Sequence, residues 1–266
     1  MTLSAAETEF LSRLAAEGKT IFSINEAQES WVGSTPIKTV LHRLEKKGWL
    51  QRVERGVYLL IPLEAGPERT WSESPLVVAS YLIQPAAVSY WSALHYWQMT
   101  EQIPRITFVQ STKRKRPMDV LGMRFRFVAV KEARFFGILE QILNGKKFFV
   151  TDREKTLVDC ANRPDLSGGI MQLAQALETG YAEIEWPKLD AYLRSWEGGT
   201  VVKRLGYLIE RLRVPIPERE PRLAEWRKML TRGISPLEPG LGSSGPVVTR
   251  WGLRINVSAF SVRELE

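Results

Sequence analysis

A chain of 266 residues, 44% hydrophobic and 25% charged, is long enough for two cores of ~100 to 150 residues each and too apolar for disorder to be the default. Its formal net charge of +7 favours a polyanionic partner, because a basic surface concentrates such partners and speeds their encounter; nucleic acid comes before membrane. The first residues hold acids at Glu7 and Glu9 and no continuous apolar block, no run of ~18 apolar residues follows, and the single cysteine, Cys160, has no internal partner, so neither a signal peptide, a membrane span nor a disulfide framework is expected, and a reducing cytoplasm is.

In chain order, Ala6, Phe10, Leu11 and Leu14 recur at helical spacing from Ser4 to Ala16, and Gly18 stops that helix. A short apolar segment, Ile21, Phe22 and Ile24, leads to a second helix over Glu26 to Glu29 that Asn25 can cap. After Gly33, Ser34 or Thr35 can cap a third helix, Pro36 suits its first turn, and Ile37, Val40, Leu41 and Leu44 form one apolar stripe. That stripe turns Lys38, Thr39, His42, Arg43 and Lys46 outward. Beyond Gly48, the segment from Trp49 to Leu60 predicts two short strands joined at a glycine-containing turn, the pattern of a wing.

Charge divides this unit. Residues 1–33 carry Arg13 and Lys19 against five glutamates, whereas 34–55 carry Lys38, Arg43, Lys46, Lys47, Arg52 and Arg55 against Glu45 and Glu54. A recognition helix in the major groove reads base edges with its N-terminal residues, while flanking cations hold phosphates. Ser34, Thr35, Lys38 and Thr39 are therefore assigned to bases, and Arg43, Lys46, Arg52 and Arg55 to the backbone, with His42 on the same face. A solvated surface or a protein-docking module would show the same basic helix and hairpin. For Lys46 and Lys47 individually, solvent and phosphate are equal alternatives.

The pattern breaks from Pro62 to Pro75, which gives a winged helix-turn-helix at 1–62, a linker at 63–75 and a larger mixed domain at 76–266, an α+β chain overall. In the larger domain, helices are expected over Leu76 to Ile83, Ser89 to Trp97, Arg153 to Ala161 with Asp152 as cap, Gly169 to Thr179, Pro187 to Trp196 and Val201 to Arg213. Strands are expected over Ile106 to Gln110, Met123 to Val130, Phe148 to Val150 and Trp251 to Val257. Between Arg105 and Arg134 stand nine lysines and arginines against Asp119 and Glu132. The run Lys113, Arg114, Lys115, Arg116 suits either a solvated loop or additional phosphate contacts.

Catalytic material is thin. The two histidines, His42 and His95, leave little for a metal site or a serine triad, and Cys160 lies on an apolar helical face. Asp152, Glu154, Asp159 and Asp165 could suggest magnesium, but capping explains Asp152 and the helix dipole explains Glu154. The Gly240 to Pro246 run lacks the lysine of a phosphate-binding loop and reads as a connection. No cofactor, no metal and no enzymatic activity are expected. A winged-helix-tethered metal-dependent nuclease and a non-catalytic interaction module are the competing classes.

Several motifs in order carry a resemblance: Arg55-Gly56-Val57-Tyr58; Tyr90-Trp91-Ser92-Ala93-Leu94 leading to Gln102-Ile103-Pro104; Thr151-Asp152-Arg153-Glu154-Lys155-Thr156-Leu157-Val158-Asp159; Arg204-Leu205-Gly206-Tyr207-Leu208-Ile209-Glu210; and Pro236-Leu237-Glu238-Pro239 followed by Trp251 and Asn256. Together they resemble the AbiEi antitoxins of type IV toxin-antitoxin and abortive-infection systems. The resemblance implies an autorepressor whose winged helix binds inverted repeats in its own promoter, as a dimer on the duplex. It also implies a C-terminal domain that supports cooperative binding and counteracts a nucleotidyltransferase-like toxin without needing to touch it. By the same resemblance, Asp152 to Asp159 is a structural signature and not a catalytic centre. The aromatic-rich Trp91 to Trp97 and the basic 113–116 segment depart from the minimal family pattern.

Overall fold

The computed structural model describes residues 2–66, 73–196 and 198–258. Residues 67–72 of the expected linker lie outside them. The first helix, α1 (Ala5–Ala16), opens on a capping box: the Glu7 amide donates to Ser4 Oγ and the Glu7 carboxylate accepts from the Ser4 amide. β1 (Ile21–Ser23) leads into α2 (Ile24–Ser30), which starts on a second box built by Ser23 and Glu26. Asn25 does not cap α2 as expected. It already lies inside the helix, while the extended Ser23 stands three residues ahead of a glutamate.

α3 (Ile37–Lys46) also departs from expectation at its start, since Pro36 takes the cap position and no side chain accepts from its first amides, Ser34 and Thr35 included. Trp31 organises this turn, donating from its indole N–H to the Thr35 carbonyl at 2.8 Å. β2 (Leu50–Glu54) and β3 (Val57–Leu60) then form the wing, joined through Arg55 and Gly56. The sheet has three strands in the order β1-β3-β2, because Ile21, Phe22 and Ser23 pair with Leu59, Tyr58 and Val57. A bulge between Arg52 and Glu54 interrupts the β2 ladder. Phe10, Leu14, Phe22, Ala27, Val40, Leu41, Leu44 and Leu50 make the core of this segment, with Phe22 stacked on Tyr58 at 6.2 Å.

The remaining elements are α4 (Pro75–Leu82), β4 (Ala87–Val88), α5 (Tyr90–Tyr96), β5 (Thr107–Ser111), β6 (Met118–Val120), β7 (Met123–Ala129), β8 (Ile138–Leu143), β9 (Lys146–Thr151), α6 (Arg153–Asn162), α7 (Ile170–Gly180), α8 (Trp186–Ser195), α9 (Gly199–Leu212), α10 (Arg219–Lys228), β10 (Ser235–Pro236), β11 (Val247–Val248) and β12 (Leu253–Arg254). Strands β4 to β9 form a sheet in the order β6-β7-β5-β4-β9-β8, and β12 lies between β10 and β11 in a small separate one. The chain is α+β.

Two compact units are formed by 1–87 with 109–130 and 140–149, and by 88–108 with 131–139 and 150–266. In the first, the winged helix shares its unit with α4 and the β6-β7 hairpin. Glu73, nearly buried, accepts from the Thr20 hydroxyl at 2.6 Å and the Ser74 amide at 2.9 Å, and pairs with Lys146.

In the second, α6 is buried from Glu154 to Ala161 and packs against α5, α7, α8 and α9. Its charged residues survive there because each is matched. Lys155 Nζ lies 2.5 Å from Asp159 and 5.0 Å from the Phe136 ring centroid, and an unpaired buried charge would instead cost several kcal/mol. Asp152 caps the helix as expected, accepting from the Lys155 amide at 2.7 Å. The other motifs are also packing devices. Arg204 donates to the carbonyls of Ala161 at 2.7 Å and Pro236 at 2.9 Å, Glu210 accepts from the Trp251 indole at 2.7 Å, and Glu238 accepts from the Ile170 amide at 2.6 Å, capping an α7 whose own cap position is glycine. The expected terminal strand shortens to Leu253–Arg254, since Trp251 and Gly252 form a turn and Asn256 turns its amide to the carbonyls of Glu238 and Gly242.

Candidate nucleic-acid interface

The amphipathic pattern of α3 buries Ile37, Val40, Leu41 and Leu44 and exposes Lys38, Thr39, His42, Arg43 and Lys46. Among the described residues, the side chains of Lys38, His42 and Lys46 make no ion pair or hydrogen bond. Ser34 is exposed ahead of them, and Thr35 is half-buried under the Trp31 contact. With no side-chain cap, and with the Thr39 amide already donating to the Pro36 carbonyl at 2.9 Å, the Ile37 and Lys38 amides remain donors for solvent or an anion, at the end where the helix dipole favours negative charge.

Two basic residues of this segment are engaged inward. Lys47 Nζ is 2.7 Å from the buried Glu7 carboxylate, and Arg43 approaches the same carboxylate at 3.9 Å while staying half-exposed. Burial pushes the Glu7 pKa up, but the hydrogen bonds from Lys47 and the Ser4 amide outweigh it and hold the carboxyl below its ordinary value. Glu7 is visible in the sequence only as an acid near the start of the chain. Its partnership with Lys47, 40 residues on, has no local pattern that could have shown it.

On the wing, Arg52 and Arg55 are exposed, with Arg52 Nε donating to the Glu54 carbonyl at 3.3 Å. The basic segment between β5 and β6 belongs to the same compact unit. Lys115 reaches Glu54 at 2.6 Å, donates to the Leu82 carbonyl and lies 5.6 Å from the Phe127 ring centroid. Its charge is thus spent on the wing's own glutamate, while Lys113, Arg114 and Arg116 are exposed with no side-chain partner among the described residues. One anchored lysine brings three outward cations next to the wing.

Elsewhere, the carboxylates that could have held a metal are occupied. Asp152 Oδ2 accepts from Tyr192 at 2.8 Å and from Lys188 at 3.1 Å, and Lys188 also reaches Glu154 at 3.2 Å. Glu154 further accepts from the Glu185 amide at 2.8 Å, Asp159 is paired with Lys155, and Asp165 with Arg163 at 2.7 Å. No group of three or more metal-ligating side chains occurs among the described residues. Cys160 is fully buried, and desolvation raises its thiol pKa far above the range in which a thiolate forms. His95 is exposed on α5.

Comparison with known proteins places this geometry. The chain is similar over 98% of its length, and over 95% of the other chain, to the crystal structure of the RV2827C protein from Mycobacterium tuberculosis, with a TM-score of 0.72 and 16% identity. That likeness concerns the fold. No curated protein matches the sequence. Residues 9–61, which run from α1 to the end of the wing, match the family described as transcriptional regulator, AbiEi antitoxin, so the likeness to that family is carried by the winged-helix segment.

Proposed function

We propose that the chain is a DNA-binding autorepressor and the antitoxin of a type IV, abortive-infection pair, acting in the cytoplasm without catalysis against a nucleotidyltransferase-like toxin that it need not touch. The observation that carries the DNA-binding half is the row of outward, unpaired Lys38, His42 and Lys46 on α3, beside the exposed Arg52 and Arg55 of the wing. In this reading, residues 1–62 are the reading module. Ser34, Thr35, Lys38 and Thr39 meet base edges, Arg43, Lys46, Arg52 and Arg55 hold phosphates, and two copies on an inverted repeat place two α3 helices in successive major grooves. Lys113, Arg114 and Arg116 extend the phosphate-facing surface. The family description of residues 9–61 supports the antitoxin half, and residues 76–266 are assigned to it.

Binding of the full chain to duplex DNA at several salt concentrations tests this. Lys38→Ala should flatten the preference among sequences, at about 1 to 3 kcal/mol for a base-contacting side chain. Arg52→Ala should weaken every duplex alike and reduce the salt slope by about one. A change of sequence preference alone in Arg52→Ala would refute the wing assignment. Metal-dependent cleavage of plasmid DNA, lost in Asp152→Ala, would instead establish the nuclease reading.

A further inference from the structure

Lys203 on α9 is only 1% exposed. A lysine removed from water ordinarily needs a carboxylate beside it, and Lys155 obeys that rule through Asp159. Lys203 does not. Its Nζ donates to the Gly233 carbonyl at 2.5 Å, and no carboxylate among the described residues stands within ion-pair distance of it. Burial lowers its pKa, and no acid opposes the effect. An ammonium group has three donors, and the carbonyl takes one.

The group stands at a cavity of about 290 Å³, lined by Lys203 together with Thr231, Ile234, Val247, Thr249 and Trp251. Gly233, which binds the ammonium, and Gly252 also line it. A Cβ at Gly252 would come within 3.3 Å of Lys203 Nζ, which locates the charged end at the cavity wall. Arg227 lies 5.7 Å from the Trp251 ring centroid, and Arg250 is nearby, paired with Glu210 at 3.1 Å. Glu210 is itself committed to that arginine and to the Trp251 indole. Sites for small ligands combine this kind of apolar lining with a few polar groups that fix orientation.

We propose that this cavity binds a small organic carboxylate, with its anionic head on Lys203 Nζ, the Thr231 and Thr249 hydroxyls at the rim, and its apolar body against Ile234, Val247 and Trp251. The bound anion supplies a counter-charge that no carboxylate among the described residues gives Lys203. This does not depend on the DNA-binding reading, and its test contains no DNA.

The experiment is a ligand-observed NMR titration of the full chain with benzoate, its neutral analogue benzamide and inorganic phosphate. Saturable benzoate binding at millimolar concentration or below is expected, with benzamide weaker by at least about tenfold. Lys203→Met, which keeps the aliphatic stem and removes the charge, should abolish the difference between the two probes. Ile234→Trp, at an exposed position of the wall, should weaken benzoate by at least about tenfold by filling the cavity, and it decides the matter if Lys203→Met does not fold. No saturable benzoate binding, unchanged binding in Lys203→Met or Ile234→Trp, or phosphate bound as tightly as benzoate would overturn the proposal.

Discussion

Glu7 joins three parts of the winged helix: it closes the capping box of α1 with Ser4, accepts from Lys47 just beyond α3, and draws Arg43 toward the same carboxylate. Because its folded pKa is depressed, its contribution to stability is fully present above the unfolded value of about 4.3 and is lost as pH falls through the lower folded value. Glu73 has the same sign, with burial opposed by Lys146, Thr20 and the Ser74 amide. Denaturant unfolding as a function of pH should therefore show stability falling below about pH 4. Glu7→Gln should remove part of that dependence and cost about 1 to 3 kcal/mol at neutral pH. Gly206 gives a sharper residue-scale prediction. Alanine is favoured over glycine in a helix by about 0.5 to 1 kcal/mol, but a Cβ there would lie 2.2 Å from the Trp251 ring, and overpacking costs about 1 to 3 kcal/mol. Crowding wins, so Gly206→Ala should lower the midpoint of unfolding; a raised midpoint would show that Trp251 gives way. Neither effect is written in local sequence, since both need partners 40 or more residues away.

At the scale of elements, what was legible followed period and capping chemistry. The α3 stripe, the wing strands and the Asp152 cap each announce themselves within one turn or one hairpin. Asn25 was misread because two capping residues compete there, and the glutamate that settles the matter, Glu26, answers Ser23. α10 was missed because charge dominates it and only Arg222, Leu223 and Trp226 are buried, with Arg222 and Trp226 held by Asp190. β8 was missed because its exposure only loosely alternates. The basic segment between β5 and β6 could be counted in sequence but not located, since its anchor, Lys115 to Glu54, spans 61 residues. Replacing Arg114 and Arg116 together by alanine should reduce the salt slope of DNA binding by up to about two, with sequence preference unchanged. An unaltered slope would return that segment to the solvated alternative.

For the whole molecule, the first compact unit extends beyond the winged helix to residues 109–130 and 140–149. Thr20 and Glu54 find their partners in Glu73 and Lys115, all within that unit. A fragment of residues 1–62 should accordingly protect the amides of Val40, Leu41 and Leu44 from hydrogen exchange less than the full chain does. Equal protection would mean that the winged helix holds itself together. Composition indicated a polyanionic partner for the molecule, and the matched residues 9–61 agree with a regulator. The division of the chain into interleaved segments had no sequence signature, because it rests on pairings between residues far apart. The most direct measurement of the central claim is selection of random duplex DNA on the full-length protein, in parallel with its Lys38→Ala and Thr39→Ala variants. The account predicts an enriched inverted repeat for the parent and a degraded motif for both variants; no enriched motif for the parent, or the same motif in all three, would contradict the assignment of α3 as the reading helix.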